Sequence, residues 1–436
     1  MSNTANKSKY SLLQKLICLA LAVVLGAIAG VGFHDQRTFR ETVVVSDALT
    51  EVRMLSDYLP SLKGTYGDTP IFVFDSGVPG GSVLYCGGTH PYEPATSVSA
   101  YVLMENIQVE KGIVYVIPQT SFSATTMGVQ GNAYPAQMKV DTEWGVVRYK
   151  IGERNTNPLD QWPDPFSYIH YPSRQQQAYS DQRNLNRAYP GRKDGPLTER
   201  VCFAVMEFIR TEQIDMSIDC HEASIMYPVV NTYVSHQRAD DIAMFAAMYL
   251  SSGALPYSFD MKIESSPKSL KGFTHREWGD YTEPQNWPAD SAAPLDPNWP
   301  GTLAILMETA EPFIDRIVGP MTNSLMIDGH DLFLSFAGNK NLTYAPYNEA
   351  NDWSHPIETR VGRHLSGAYE AVNQMNNMMM RDDMTVIYTC PQYNELCEKG
   401  VGAFLHNPET ADQKYVFQVS CFEEEVFEIA GTSWRG

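Results

Sequence analysis

The chain has 436 residues, 43% hydrophobic and 19% charged, which excludes a largely disordered protein and allows one large domain with an appendage, or two ordinary ones. A formal net charge of −19 excludes a nucleic-acid surface, because phosphate binding needs clustered Lys and Arg. Seven cysteines are scattered without a CxxC pair, so a cysteine-rich zinc ribbon is excluded as well.

The first element in chain order is apolar. Lys7, Lys9 and Lys15 lead into an uncharged stretch from Leu16 to Phe33, at the lower length limit for a helix that crosses a bilayer. The lysines would hold the N-terminus in the cytoplasm. Ala27-Ile28-Ala29 offers a small-residue cleavage site for a secreted form. An uncleaved anchor is the favoured reading and a cleaved signal the alternative. Either one places the rest of the chain outside the cytoplasm.

Thr38 to Leu62 reads as a connecting segment with a short helix. Ile71 to Phe74, Val83 to Tyr85, Ile113 to Ile117, Met216 to Asp219 and Leu303 to Met307 are short apolar runs bounded by Gly, Pro or polar residues, as buried strands are. Ala95 to Val109, Pro196 to Thr211 and His236 to Ser251 read as helices between them. This alternation predicts an α/β fold. Two long stretches, Asp141 to Pro190 and Leu255 to Pro300, are rich in Pro and Trp and read as loops that wall a cleft. From about Asp383 onward, Thr385 to Thr389 and Tyr415 to Val419 look like strands of a small β appendage. The division expected is 1–37 for the anchor or signal, 38–382 for a catalytic domain and 383–436 for the appendage. Cys390 and Cys397 are close enough in sequence to pair in an oxidising compartment.

Three segments can carry chemistry. In the first, the run Val83 to Cys86 ends in Gly87-Gly88, and His90 and Glu93 follow three residues apart. With Pro91 in the first turn of a helix, positions i and i+3 face the same way, so both side chains can reach one metal. The two glycines allow a sharp turn and leave room for a ligand. An isolated HxxE is weak, but ligands of α/β sheets bind beyond the strand ends, where this one lies. In the second, Met216 to Asp219 delivers His221 at a strand end, completing a His/Glu/His set with an open position. Asp219 either orients a ligand ring or stays within the sheet. The third segment runs from Arg183 to Gly191 and holds Asn186 beside Arg187. A guanidinium there can grip a carboxylate, although on this segment alone a surface arginine is the simpler reading.

Together these segments resemble the zinc carboxypeptidase superfamily, in particular its succinylglutamate desuccinylase and aspartoacylase branch. That branch carries Gly-Gly-x-His-Gly-x-Glu, then Asn-Arg-x-Phe-Pro-Gly, then a strand ending in Asp-x-His. The counterparts here are Gly87 to Glu93, Asn186 to Gly191 and Asp219 to His221, in the same order, with Pro91 for Gly and Tyr189 for Phe. The resemblance covers roughly residues 65 to 320. It implies a mixed, mostly parallel central sheet flanked by helices, and one zinc per chain on His90, Glu93 and His221. It further implies substrate contacts from Asn186 and Arg187, and Glu308, at the end of the run from Thr302, as general base. Glu222 and Glu311 compete for that last role. Arg174, Arg183 and Arg148 are candidates for a second substrate arginine.

The activity implied is hydrolysis of an amide beside a carboxylate, on a small peptide or an N-acylated amino acid. An anchored zinc-fold binding protein without turnover is the alternative. A thiol hydrolase built on Cys86 or Cys220 is disfavoured, because neighbours along a strand point apart. No GxSxG elbow is present for a serine hydrolase. The oligomeric state is not legible in the sequence.

Overall fold

Runs of β-branched and aromatic residues punctuated by Gly and polar turns favour a buried sheet, and one forms here. The structure is a computed structural model that describes residues 11–128, 136–223, 231–264, 270–294, 296–310, 327 and 356–436. By its contacts the chain divides into one unit ending at Phe39 and another from Arg40 to Gly436. The first contains helix α1 (Leu12–Thr38), opened by a capping box in which Ser11 and Gln14 satisfy each other's backbone N–H. Its Leu19, Val24 and Ile28 are exposed, and it is long and apolar enough to cross a membrane by length and composition.

In the second unit an eight-stranded sheet is built from β1 (Glu51–Met54), β2 (Pro70–Asp75), β3 (Ser82–Cys86), β4 (Ile113–Ile117), β5 (Met216–Ala223), β6 (Thr232–Ser235), β7 (Lys262–Glu264) and β8 (Leu303–Ala310), in the order β7-β6-β8-β5-β3-β4-β2-β1. The central strands β8, β5, β3 and β4 run parallel, whereas β1, β2 and the β6–β8 pair introduce antiparallel neighbours. The sheet is therefore mixed and mostly parallel at its centre.

Helices cover both faces. Residues of opposite parity along the strands enter two separate cores, as a pleated strand requires. Tyr85, Ile218, Cys220 and Met307 join one with α2 (Pro94–Asn106), α4 (Asp240–Ser251) and α6 (Ile357–Met379). Leu84, Cys86 and Ala304 join the other with α3 (Leu197–Thr211) and Trp278 of α5 (Thr274–Thr282).

All five runs read as strands lie in this sheet. The segment from Thr38 to Leu62, expected as a linker with a short helix, holds the short 3-10 helices Leu55–Asp57 and Pro60–Leu62 but is otherwise built from a strand pairing Glu41–Val44 with Val416–Val419 and from β1. Helix α2 stops at Asn106, because Ile107 is extended and the chain turns into the strand Gln108–Lys111. A hairpin of Gln137–Thr142 with Gly145–Lys150 runs into the first long loop, and the second holds β7 and α5. Residues after Asp383 supply Ile387–Thr389, paired with Gln108–Lys111, and Leu396, Val401 and Phe417 of the first core. The thiols of Cys390 and Cys397 are free.

Candidate metal centre

Parallel strands β3 and β5 lie side by side; β3 stops at Cys86, opposite Asp219, and hands His90 and Glu93 to the turn beyond it, whereas β5 runs on to Ala223 and carries His221 near its C-terminal end, still paired with β8. After β3 the chain must turn at once. Gly88 does so with φ +62, and a Cβ on Gly87 would strike the Thr96 carbonyl of α2. The glycines thus serve the turn and the close approach of α2, not a ligand. His90 and Glu93 lie in a turn closed by Glu93 N–H to His90 O at 2.9 Å, and the helix begins at Pro94. This differs from the expected helical i, i+3 pair with Pro91 in the first turn, but it brings the same side chains together.

His90, Glu93 and His221 are all buried and form a candidate metal-binding cluster. His90 Nδ1 is 2.9 Å from Glu93 Oε1. His221 Nδ1 is 3.0 Å from Glu93 Oε2 and 3.1 Å from His90 Nδ1. The outer nitrogens are engaged elsewhere: His221 Nε2 with Asp219 Oδ2 at 2.8 Å, and His90 Nε2 with Asn184 Oδ1 at 2.9 Å. Asn184 Oδ1 also accepts the Asn186 N–H at 3.0 Å, which fixes the amide orientation. Both acceptors therefore call for the proton on Nε2, and two Nδ1 lone pairs and a carboxylate are left facing one another.

That arrangement fits a cation. Bonds of about 2.0–2.2 Å set donors roughly 2.9 Å apart at right angles and about 3.4 Å apart in a tetrahedron, which brackets the observed separations. The charges pull in opposite directions, toward a neutral His90 and a protonated His221 whose proton a bound metal would displace. Burial pushes His90 down to about 4. Burial also opposes the charged forms of Glu93 and His221, but His90 and His221 hold the Glu93 carboxyl well below its usual range, while Asp219 and Glu93 hold His221 well above its own.

Asp219 lies within the sheet, in register with Cys86 and Leu306, and its side chain also reaches the His221 ring: Oδ1 accepts the Thr89 hydroxyl at 2.6 Å while Oδ2 holds His221 Nε2 at 2.8 Å. Replacing Asp219 by Asn should weaken metal binding about 10–100-fold, read by competition with a chelator. An unchanged affinity would remove Asp219 from the site.

Glu308 on β8 is the register partner of His221, so their side chains share a face. It is half-buried. Burial pushes its carboxyl up to about 8, with His221 and Arg154 acting downward and Glu93 upward. Glu222 points to the opposite face, where Arg360 Nη1 at 2.6 Å and the Ala95 N–H at 3.0 Å occupy its two oxygens. Glu311 lies outside the described residues.

The Asn–Arg pair has partners within the chain. The Asn186 amide oxygen is occupied by the Thr274 N–H at 3.0 Å, at the start of α5. Arg187 lies 4.0 Å over the Phe273 ring and donates to Asn186 O at 2.6 Å. Among the other arginines, Arg183 pairs with Asp164 at 3.1 Å, Arg148 bonds Gln137 on the hairpin, and Arg174 is exposed. Arg154, which sequence reasoning passed over, carries a charge that acts on both His90 and Glu308. No motif marks it, and neither does any pattern mark Asn184 as the partner of His90. The thiols of Cys86 and Cys220 are pushed well above their ordinary value, chiefly by burial, which suits core residues and not nucleophiles.

No protein-family model matches the chain, and no curated protein does. Among solved structures, an aspartoacylase family protein from Mesorhizobium loti is 18% identical, with 56% of each chain covered and a TM-score of 0.28. The product-bound cell shape determinant protein Csd4 from Helicobacter pylori is 10% identical over 76% of this chain and 60% of that one, with a TM-score of 0.38. A metallo-carboxypeptidase from Burkholderia cenocepacia is 12% identical over 85% of this chain and 70% of that one, also with a TM-score of 0.38. The match spans little more than half the length of the first of these, 56%.

Proposed function

We propose that the chain is a zinc-dependent hydrolase that cleaves an amide bond beside a carboxylate, on a small peptide or an N-acylated amino acid. The observation that carries this reading is the convergence of His90 Nδ1, His221 Nδ1 and the Glu93 carboxylate, each histidine backed by an oxygen acceptor on its far nitrogen. That donor set, with one acidic and two imidazole ligands, is the type that holds catalytic zinc with a position open. Bound there, zinc would polarise a carbonyl and lower the pKa of a coordinated water toward roughly 7.

The remaining work falls to the chain. Glu308 faces the same side as His221 and is assigned to accept a proton from the attacking water and return it to the departing amine. Arg154, whose charge reaches His90 and Glu308, is assigned to balance negative charge on the carbonyl oxygen as the water attacks. Arg187, spread over Phe273, is assigned to the substrate carboxylate, so that one amide is presented and others are not.

Replacing Arg187 by Ala should raise KM about 10–100-fold, from the loss of a charged hydrogen bond, with kcat little changed. A fall in kcat at constant KM would assign it to the transition state instead. A panel of short peptides and N-acyl amino acids, read out as released amino acid, separates the two substrate classes. No turnover on any of them by the zinc-loaded protein would leave a binding protein.

We further propose that α1 anchors the protein with the body outside the cytoplasm, a reading supported by its length and apolarity and by the lysines before it. The full chain should stay with membranes through alkaline extraction, and its body should be cut by protease added from outside. Release into the wash would replace the anchor with a cleaved signal.

A further inference from the structure

We propose that Glu222, neutralised by Arg360, is a positioning residue that fixes the metal-binding side chains from behind the sheet; this rests on the metal reading above. Successive residues of a strand face opposite sides, so while His221 turns to the metal cluster, Glu222 turns to the core under α2 and α6. Both Glu222 and Arg360 side chains have 0% exposure.

The contacts of Glu222 end on the metal site. Its backbone N–H donates to Glu93 Oε2 at 3.0 Å, the oxygen that also meets His221 Nδ1. Its side-chain Oε2 accepts the N–H of Ala95 at 3.0 Å. Ala95 is the second residue of α2, directly after the turn that carries Glu93. The N–H groups of a helix's first turn have no partner within the helix and favour a carboxylate. One residue thus holds the Glu93 carboxylate through its backbone and the chain just beyond Glu93 through its side chain. Because it follows His221 directly on β5, the same clamp sets the separation between the two ligands.

Arg360 makes the clamp tenable. An ionised carboxylate buried without a partner costs several kcal/mol, and Arg360 Nη1 meets Glu222 Oε1 at 2.6 Å. It comes from α6, far along the chain, so α6 is coupled through Glu222 to the geometry of the cluster. With both oxygens engaged, Glu222 serves to position its neighbours and leaves the base role to Glu308.

A second buried pair, Lys150 with Glu41 at 3.6 Å, provides a matched control. The test measures zinc dissociation from the full chain by chelator competition, alongside the melting temperature of the metal-free protein. Arg360→Met should weaken zinc binding about 10–100-fold, whereas Lys150→Met should lower the melting temperature and leave zinc affinity unchanged. Should Arg360→Met fail to accumulate folded, Arg360→Lys reads the same quantity with the charge kept and the fork lost. Wild-type affinity in the Arg360 variant, or an equal loss in Lys150→Met, overturns the positioning role. A wild-type chain that takes up no zinc overturns instead the metal reading on which the proposal stands.

Discussion

Replacing Glu308 by Gln should leave zinc at one per chain and lower turnover about 10²–10⁴-fold, the range that general-base catalysis supplies. Gln keeps the size of Glu and its place beside His221 in the β5–β8 register, but it cannot take a proton. Burial holds the Glu308 carboxyl up to about 8 in the metal-free site, with Glu93 adding to the effect and His221 opposing it. A divalent cation at the cluster would favour the carboxylate and lower that value. The binding residues stay intact in this variant, so KM should change little. Turnover close to wild type would reassign the base, and loss of zinc together with activity would make Glu308 a ligand.

Replacing His221 by Ala should abolish stoichiometric zinc. Structural zinc sites bind with about 10–16 kcal/mol spread over four ligands, so one ligand is worth roughly 3–4 kcal/mol, or about 10²–10³ in affinity. The loss here should lie at the upper end, because Asp219 would be left buried without the ring it orients and Glu93 would lose one of its two histidine neighbours. Metal analysis after gel filtration, with the melting temperature as a control for folding, reads this directly. A folded His221→Ala protein that retains zinc would place the metal elsewhere.

Much of the candidate site was legible because His90, Glu93 and His221 lie close after, or within, strands that the sequence marks. Ser82–Cys86 is a short apolar run that His90 follows, and Met216 to Asp219 begins a strand that carries His221 near its C-terminal end. What escaped notice depends on contacts across the chain. Asn184 reaches His90 over 94 positions and Arg360 reaches Glu222 over 138, and no local pattern encodes such pairs. Helix α6 was missed for a related reason. Its buried face includes Arg360, His364, Glu370 and Gln374, and polar residues at core positions blur the apolar period that marks a helix. Strand β6 reads Thr-Tyr-Val-Ser, too short and too polar at its ends to stand out. The turn at His90 looked like a helix because i, i+3 spacing also suits a tight turn followed by a helix, and Pro94, not Pro91, opens that helix.

The central claim is tested most directly by anomalous diffraction at the zinc edge from crystals of the protein loaded with zinc. The expected result is one peak per chain, bonded to Nδ1 of His90, Nδ1 of His221 and the Glu93 carboxylate, with both Nε2 atoms still turned to Asn184 and Asp219. A map without density among those three residues, or with its peak elsewhere on the chain, would contradict the account.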